Sequence, residues 1–488
     1  MMSQEFEAVI GLEVHAVLET RTKMFCDCPV VDSTHGEPNT AVCPVCSGMP
    51  GVLPVINQGA VEYALRVALA LECEISNTSI FARKSYFYPD LPKGYQISQY
   101  EQPLARSGRL NIDISGGEQI IRVRRVHIEE DTGKLTHMQQ NGQSYSLVDL
   151  NRSGLPLLEI VSEPDMHSVE SVRAYAFGLR SIMRYLGVNS GNLEKGLFRI
   201  EPNISMRPVG SQALGTRTEI KNMNSFRSLE RGVAYEIERQ TELLRQGKPV
   251  IQETLGWDDA RQVTVSQRGK EDAEDYRYFP EPDLPPLVVE DGWVAQIKAS
   301  LPELPHAKLK RFQKEYSLSA YDAGVLVAER AVADYFEETA AAAPQSTPKM
   351  VANWISGELF GLLNQHNLSI EQVALAPREL AALLEMIAAG EINQNTGKEV
   401  LAEMLAMGKT AEEIVDARGL KQVSDGELIA GMVAGVLAEN PEQVAAFIGG
   451  KEAIAGWLFG QVMQAAKGKA NPQVVRVELD RQLKDLAK

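Results

Sequence analysis

Four cysteines near the N-terminus constrain the fold of this chain more than any other sequence feature. They form a C-x-C pair and a C-x-x-C pair on either side of a polar segment that contains Gly and Pro: Cys26, Cys28, Cys43 and Cys46. This spacing is typical of a closed tetrahedral thiolate zinc site. Because the segment is too polar to build a core of its own, we expect a structural Zn²⁺ to hold it, against the alternative of unligated cysteines.

A strand-like segment at residues 9–15 shortly precedes the cysteines. Its alternation places Glu13 and His15 on one face and Leu12 and Val14 on the other. A Glu and a His on a strand face are surface residues more often than ligands, so this pair alone does not establish a site. Together with the cysteines, the pair indicates an acidic active-site strand that a metal-bound loop makes rigid.

Composition limits the class of protein. The 488 residues are enough for two to four domains, and 44% hydrophobic and 23% charged residues are typical of a soluble protein. Nothing in the sequence resembles a signal peptide or a membrane span, and cysteines in metal-like spacing fit a reducing compartment, so we expect a cytoplasmic protein. The net charge of −16 argues against indiscriminate nucleic-acid binding, so an RNA partner must contact local basic patches.

The order of predicted elements indicates an α+β fold with a largely antiparallel sheet in the first part of the chain. Amphipathic helices are predicted near residues 57–73, 167–186 and 226–246, and alternating segments such as 121–128 and 199–207 lie between them. These periodicities place the sheet in the region before about residue 286.

Prolines at 280–286 and 301–305 end regular structure, and Ala/Leu/Glu-rich helical sequence follows. We therefore predict three domains: a catalytic domain at 1–295, a helical domain at 296–407 and a small helical tail at 408–488. In the tail, helix starts are marked by capping boxes or Asn-Pro pairs: Thr410 with Glu413, Ser424 with Glu427, Asn440-Pro441 and Asn471-Pro472.

Further carboxylates follow the pattern of the first strand. Glu129 and Glu130 point to opposite faces if their strand continues, so only one of them need join Glu13, and the pattern leaves open which one. Glu159 stands among aliphatic residues, where a buried carboxylate is costly unless it is paired or ligates a metal.

Two other segments alternate long polar side chains with apolar ones. The first has Arg199 and Glu201 on one face, and the second has Arg217, Glu219 and Lys221. Each face offers oxygen ligands for a metal and cationic groups for phosphate, although a solvated strand face is the alternative. Carboxylates from several strands beside Arg and Lys indicate a phosphoryl-transfer site that binds ATP and divalent cations.

Several patterns are missing from the sequence. There is no P-loop and no Gly-x-Ser-x-Gly elbow or amidase-like tract, so a partner must generate any ammonia that the protein consumes. His15 offers a nitrogen atom, whereas Mg²⁺ prefers oxygen ligands, so either Mn²⁺ replaces Mg²⁺ at the predicted site or His15 contacts the substrate. The aromatic residues are too sparse and scattered along the chain to predict a stacking platform for single strands.

Long strings resemble the B subunits of aspartyl/glutamyl-tRNA amidotransferases over essentially the whole chain: VIGLEVH at 9–15, KSYFYPD at 84–90, YQISQ at 95–99, LNR at 150–152 and DYRYFPEPD at 275–283. The resemblance implies a glutamine-synthetase-like cradle domain with an antiparallel sheet, an all-helical domain and a small helical tail. It also implies a heterotrimer with a glutaminase subunit and a small third subunit, and no membrane partner.

The resemblance implies ATP-dependent transamidation of misacylated Glu-tRNA(Gln) or Asp-tRNA(Asn). ATP phosphorylates the side-chain carboxylate, and ammonia from the glutaminase subunit displaces the phosphate. The alternative is a non-catalytic tRNA-binding adaptor. The residues implied are catalytic Glu13, His15, Glu129, Glu130 and Glu159; Mg²⁺-binding Glu13 and His15 with one of Glu129 and Glu130, of which Glu130 is our candidate; ATP-binding Arg199, Glu201, Arg217 and Lys221; and tRNA-binding Lys467 and Lys469.

Overall fold

A computed structural model describes residues 5–32, 34, 36–269, 276–422, 426–466 and 470–486. The chain divides into two compact units, Met1–Ala307 and Lys308–Lys488. The first unit is built on a sheet and the second is helical, so the predicted α+β class is confirmed. Among the described residues, no helix is both long and apolar enough to cross a membrane.

The first unit contains these elements: β1 (Phe6–Val17), α1 (Gln58–Ala70), β2 (Glu74–Ile75), β3 (Thr78–Ser79), β4 (Ala82–Ser85), β5 (Tyr95–Ser98), β6 (Ala105–Ile114), β7 (Gly117–Glu130), β8 (Lys134–Gln140), β9 (Gln143–Asp149), β10 (Pro156–Ser162), α2 (Val169–Tyr185), β11 (Phe198–Pro208), β12 (Thr218–Lys221), α3 (Phe226–Arg245), β13 (Glu253–Asp258), β14 (Val263–Gly269), β15 (Phe279–Pro280), β16 (Leu287–Val288) and α4 (Asp291–Ser300). The three helices predicted between residues 57 and 246 are confirmed as α1, α2 and α3.

The main sheet has the strand order β14-β13-β12-β11-β1-β10-β7-β6-β2. Its neighbouring strands are antiparallel except for β12 and β13, which are parallel. Along β1, Ile10, Leu12, Val14 and Ala16 are buried in the core with residues of α1, α2 and α3. Because side chains alternate along a strand, the odd-numbered residues of β1 project from the opposite face of the sheet.

The second unit consists of helices, the first of which begins just before the division: α5 (Pro305–Glu315), α6 (Ala320–Leu326), α7 (Arg330–Ala342), α8 (Pro348–Asn353), α9 (Phe360–His366), α10 (Pro377–Ala388), α11 (Gln394–Met407), α12 (Ala411–Arg418), α13 (Gly426–Glu439), α14 (Pro441–Ile448), α15 (Ile454–Ala465) and α16 (Pro472–Leu486). A stretch of wider, π-type turns, Trp354–Leu359, joins α8 to α9.

Buried apolar side chains form two groups in the second unit, one from Phe312 to Val415 and one from Ile429 to Leu483. The capping box of Thr410 is confirmed at the start of α12. Helices also begin at Pro441 and Pro472, as predicted, although the side chain of the residue before Pro441 does not cap its helix. Ser424 lies outside the described residues, and the domain boundaries at 295 and 407 stay predictions.

Candidate active site and cysteine cluster

The face of the main sheet opposite the helices brings functional side chains together through strand register. In β1, His15 lies opposite Glu159 of β10 on one side and opposite Arg199 of β11 on the other. Two residues away, Glu13 lies opposite Glu201 of β11. Directly opposed side chains in antiparallel strands have Cβ atoms about 5 Å apart, so the register alone makes these groups neighbours.

The first carboxylate cluster consists of His15, Glu129 and Glu159, whose potential ligand atoms all lie within 4.8 Å of one another. His15 Nε2 is 3.4 Å from Glu159 Oε2. Ser98 of β5 donates a hydrogen bond of 3.1 Å to Glu129 Oε2. Three strands of the main sheet therefore contribute side chains to the first carboxylate cluster, and Ser98 of β5 orients one of its carboxylates.

His127 of β7 lies beside the first carboxylate cluster, although it is not among the site residues predicted from the sequence. Its Nε2 lies 3.2 Å from Glu159 Oε2, and its side chain is only 2% exposed. Glu159 is thus flanked by the imidazoles of His15 and His127. The signal was present, because His127 is two residues from Glu129 on an alternating strand, but only the register with β10 shows that it reaches Glu159.

The second carboxylate cluster consists of Glu13, Glu201 and Glu219, again with ligand atoms within 4.8 Å of one another. Lys221 Nζ lies 3.1 Å from Glu201 Oε2 and 3.4 Å from Glu219 Oε1. Asn203 donates a hydrogen bond of 3.1 Å to Glu13 Oε1. One lysine beside three carboxylates leaves this cluster with an excess of negative charge.

The electrostatics of the two clusters reflect that excess. Burial raises the pKa of Glu13, and the charges of Glu159 and Glu219 raise it further. Burial would lower the pKa of His15, but its hydrogen bond and charge interaction with Glu159 outweigh this and raise it to about 9. Burial alone would raise the pKa of Glu159, yet His127 and His15 hold it well below its usual range. The negative charge of the two clusters therefore favours the binding of cations.

The donor set fits divalent metal ions. Five carboxylates and one imidazole make up the two clusters, and oxygen ligands are those that Mg²⁺ and Mn²⁺ accept most readily. The Nδ1 atoms of His15 and His127 are buried without a hydrogen-bond partner among the described residues. Buried polar atoms usually have a hydrogen-bond partner, and the described residues supply none to these two nitrogen atoms.

Glu130 points away from both clusters. Its carboxylate forms an ion pair with Lys93 and accepts a hydrogen bond of 2.9 Å from the backbone N–H of Ile97. The structure therefore brings Glu129, and not our candidate ligand Glu130, to the residues of β1. The opposite orientation of adjacent strand residues explains the difference.

A cavity of about 580 Å³ adjoins the second cluster. Its lining includes Glu13, Arg124 and Arg217. The loop that supplies Arg217 passes so close to β11 that a Cβ atom on Gly215 would lie 2.1 Å from the carbonyl oxygen of Met206. Glycine is therefore required there, and its absence of a side chain lets the loop form a wall of the cavity.

Comparison with known proteins places this geometry in context. Residues 8–295 match the family described as the GatB/GatE catalytic domain, and residues 334–483 match the GatB domain. The chain is 51% identical to the B subunit of an aspartyl/glutamyl-tRNA(Asn/Gln) amidotransferase from Thermodesulfovibrio yellowstonii, over 99% of this chain and 100% of the relative. It is 52% identical to the protein of that name from Moorella thermoacetica, over 98% and 100%.

This chain belongs to the GatB family. A third relative, from Thermomicrobium roseum, is 51% identical over 98% of this chain and 99% of its own length and has the same name. The resemblance proposed from the sequence strings is thereby confirmed. Both carboxylate clusters lie within the part that matches the GatB/GatE catalytic domain.

The four cysteines of this GatB chain form a compact group. The Sγ atoms of Cys26, Cys28, Cys43 and Cys46 lie within 4.8 Å of one another. Cys28 Sγ and Cys43 Sγ are each 3.9 Å from Cys46 Sγ. Sulfur ligands of a tetrahedral zinc ion at about 2.3 Å lie about 3.8 Å apart, so the group could bind a metal ion such as zinc.

A buried lysine accompanies the cysteines. Lys23 is fully buried, and its Nζ lies 3.6 Å from Cys46 Sγ while it donates to the carbonyl oxygen of Leu150 at 3.1 Å. Hydrogen bonding by Cys26, together with other contacts and the charge of Lys23, lowers the pKa of Cys46 to about 4 even though burial opposes it. A thiolate at this position suits a metal ligand.

A second set of contacts links the cysteine cluster to the active-site face. Ser153 Oγ donates to the carbonyl oxygen of Cys46 at 3.3 Å. The neighbouring Arg152 lies 3.7 Å from Asp131, and Asp131 in turn lies 3.2 Å from Arg199. Burial would raise the pKa of Asp131, but Arg199 and Arg152 lower it. Asp131 thus fixes Arg199 at its position opposite His15.

Two remaining expectations concern aromatic residues and the tail. Tyr100 is distant in sequence from Tyr276 and Tyr278, yet the rings of Tyr100 and Tyr278 stack at 4.1 Å with an interplanar angle of 7°. The expectation that the chain has no stacking platform for single strands stays a prediction, because one stacked pair of rings does not test it. Lys467 and Lys469, predicted to bind tRNA, lie outside the described residues.

Proposed function

We propose that this chain activates and amidates the side-chain carboxylate of misacylated Glu-tRNA(Gln) or Asp-tRNA(Asn) with ATP and ammonia. The names of the relatives support an amidotransferase role. The observation that carries the proposal is the convergence of two carboxylate clusters, from separate strands, on one face of the sheet beside arginine and lysine residues. Transfer of a phosphoryl group between two anions requires such a site, because cationic charge must offset their repulsion.

The reaction has two steps. A carboxylate oxygen of the aminoacyl group attacks the γ-phosphorus of ATP, the bond to the bridging oxygen breaks, and ADP leaves with the electron pair. The nitrogen of ammonia then attacks the acyl carbon, phosphate leaves, and the nitrogen loses a proton to give the amide. We assign Arg199 and Lys221 to offset phosphate charge, and we assign the adjoining cavity, which Arg124 and Arg217 line, to the triphosphate.

Mg²⁺ or Mn²⁺ would be held by the first cluster (His15, Glu129 and Glu159) and by the second cluster (Glu13, Glu201 and Glu219). Such ions supply neutralising charge for the triphosphate and orient it. Asn203 donates a hydrogen bond to Glu13, and Ser98 donates one to Glu129, so each of these carboxylates is oriented by a neighbouring side chain. We assign a structural Zn²⁺ to the four cysteines, which stay reduced in the cytoplasm.

The ammonia requires a partner, because the sequence contains no amidase-like tract. We propose a glutaminase subunit and a small third subunit as partners, in a heterotrimer. Lys467 and Lys469 stay our candidates for tRNA contacts in the tail, where phosphate binding by lysines makes affinity dependent on salt.

The test uses Glu129→Gln in the reconstituted complex with mischarged tRNA and ATP. Ammonium chloride replaces glutamine as nitrogen source, so that the assay does not depend on the glutaminase. We expect amidation to fall by at least about 100-fold, because the substitution keeps the shape of the side chain but removes a metal-binding charge. Glutaminase activity and tRNA affinity should not change.

The matched control is Glu238→Gln, which changes an exposed residue of α3 in the same unit. It should leave ammonium-dependent amidation within about twofold of the wild type. Full amidation by Glu129→Gln would contradict the proposal and favour the tRNA-binding adaptor.

A further inference from the structure

A small three-stranded sheet places a group of tyrosines beside the first carboxylate cluster. Its strand order is β15-β4-β5. Tyr100 follows β5, Tyr276 and Tyr278 precede β15, and the carbonyl oxygen of Tyr276 accepts a hydrogen bond of 2.9 Å from the N–H of Ser85. We call Tyr100, Tyr276 and Tyr278 the tyrosine cluster.

Within the tyrosine cluster, Tyr100 and Tyr278 are parallel and stacked, and Tyr276 meets Tyr278 edge to face at 6.0 Å. One face of Tyr100 is thus covered by another ring, yet 46% of the residue is exposed. A ring whose only role is core packing is normally buried more completely. Tyr100 is thus a partly exposed ring with Tyr278 stacked on one face.

Arg125 connects this ring to the chemistry. Its guanidinium lies over the ring of Tyr100, with Cζ 5.9 Å from the ring centroid, and its Nη2 lies 3.8 Å from Glu159 Oε1. The Nε of Arg125 is buried and has no hydrogen-bond partner among the described residues. A ligand that stacks on Tyr100 would therefore lie one side chain away from the first carboxylate cluster.

Stacking on an aromatic ring beside a guanidinium is a mode by which proteins bind nucleobases. Both substrates of the proposed function contain adenine, ATP in its nucleoside and tRNA in its 3′-terminal residue. We propose that Tyr100, supported by Tyr278 and bordered by Arg125, is a stacking site for the adenine ring of one of these substrates. This inference rests on the proposed function and adds a substrate-binding residue to it.

The test compares Tyr100→Ala, Tyr100→Leu and Tyr100→Phe in the full chain. One arm measures the Kd of ATP in the presence of Mg²⁺ by calorimetry. The other measures the Kd of uncharged tRNA with its complete 3′ end and of the same tRNA without the terminal adenosine. Loss of one stacked base contact should weaken binding by about fivefold or more for the Ala and Leu variants, while Phe should stay within about twofold.

The control is Tyr145→Ala, because Tyr145 is similarly exposed, at 41%, and lies on the β8–β9 hairpin, a two-stranded sheet separate from the β15-β4-β5 sheet. A melting temperature close to that of the wild type confirms that each variant folds. If the variant Tyr145→Ala binds as the wild type does, a loss at Tyr100 reports the site and not a general effect.

The two arms separate the sources of the adenine. A loss for ATP alone supports the nucleotide, and a lost preference for the complete tRNA end supports the terminal adenosine. Unchanged affinities in both arms for Tyr100→Ala and Tyr100→Leu would overturn the inference, and ammonium-dependent amidation by the wild-type complex would show that the proposed function stands without it. A wild-type complex that fails to amidate would overturn the proposed function itself.

Discussion

A buried carboxylate on α3 ties that helix to the edge of the active-site sheet. Glu236 is 0% exposed. Its Oε1 accepts hydrogen bonds from Thr218 Oγ1 and Gln240 Nε2, each at 2.8 Å. Arg239 makes two contacts to it at 2.7 and 2.8 Å, and Thr264 Oγ1 donates to Oε2 at 3.3 Å. One side chain thus joins α3 to β12 and β14.

The consequence concerns β12, which is only four residues long and contains Glu219 of the second cluster and the neighbouring Lys221. We predict that Glu236→Ala lowers stability by about 2–3 kcal/mol. Leaving the buried Thr218 hydroxyl without an acceptor for its hydrogen bond costs about 1–2 kcal/mol, and the lost packing adds about 1 kcal/mol. Arg239 adds little, because its side chain is 26% exposed and can turn to solvent.

Calorimetric unfolding is a suitable assay, because it resolves units that unfold separately. For a unit of this size, the loss corresponds to a melting temperature about 5 °C lower. The apparent Mg²⁺ requirement of amidation should rise as well, since β12 is less well fixed. Glu238→Ala, an exposed change on the same helix, is the control and should do neither. A Glu236→Ala protein that melts within about 1 °C of the wild type would refute the reasoning.

Three further predictions follow from named contacts. Gly108→Ala should destabilise the chain by about 3 kcal/mol in urea unfolding, because its Cβ would lie 2.2 Å from Cys73 Sγ, whereas Gly116→Ala meets no atom within 4 Å and should be neutral. Elemental analysis should find about one zinc per chain in the wild type and in Cys73→Ala, and much less in Cys43→Ser. His127→Ala should weaken the apparent Mg²⁺ affinity in amidation by about 10–100-fold, because it removes the partner that orients a ligand carboxylate.

Periodicity predicted α1, α2 and α3 because each has one buried apolar face. Along β1 the even-numbered residues from Ala8 to Ala16 are in the core, so the sequence pattern alone put Glu13 and His15 on the opposite face. Capping signals were equally local, and the start of α1 after Asn57 follows from its side chain, which accepts a hydrogen bond from Ala60 N. Such features depend only on neighbouring residues.

Register and distant contacts were beyond the sequence argument. The choice between Glu129 and Glu130 depends on the register of β7 with β10, which decides which residues of β7 share a sheet face with Glu159. His127 is recognised only through its position opposite Glu159. The division of the carboxylates into two clusters depends on the order of strands across the sheet. Each of these facts is a pairing between segments far apart in the chain, for which a single sequence contains no direct signal.

A chain of hydrogen bonds and ion pairs connects the cysteine cluster to the active-site face. From Cys46, contacts run through Ser153 to the loop that contains Arg152, which also donates to the carbonyl oxygens of Thr132 and Gly133 at 2.9 and 2.7 Å. That loop fixes Asp131, and Asp131 fixes Arg199 opposite His15. A metal bound by the thiolates would therefore act on catalysis only by keeping a guanidinium in place. Its removal should raise the KM for ATP before it lowers kcat, since charge placement, and not a reacting group, is what the loop supplies.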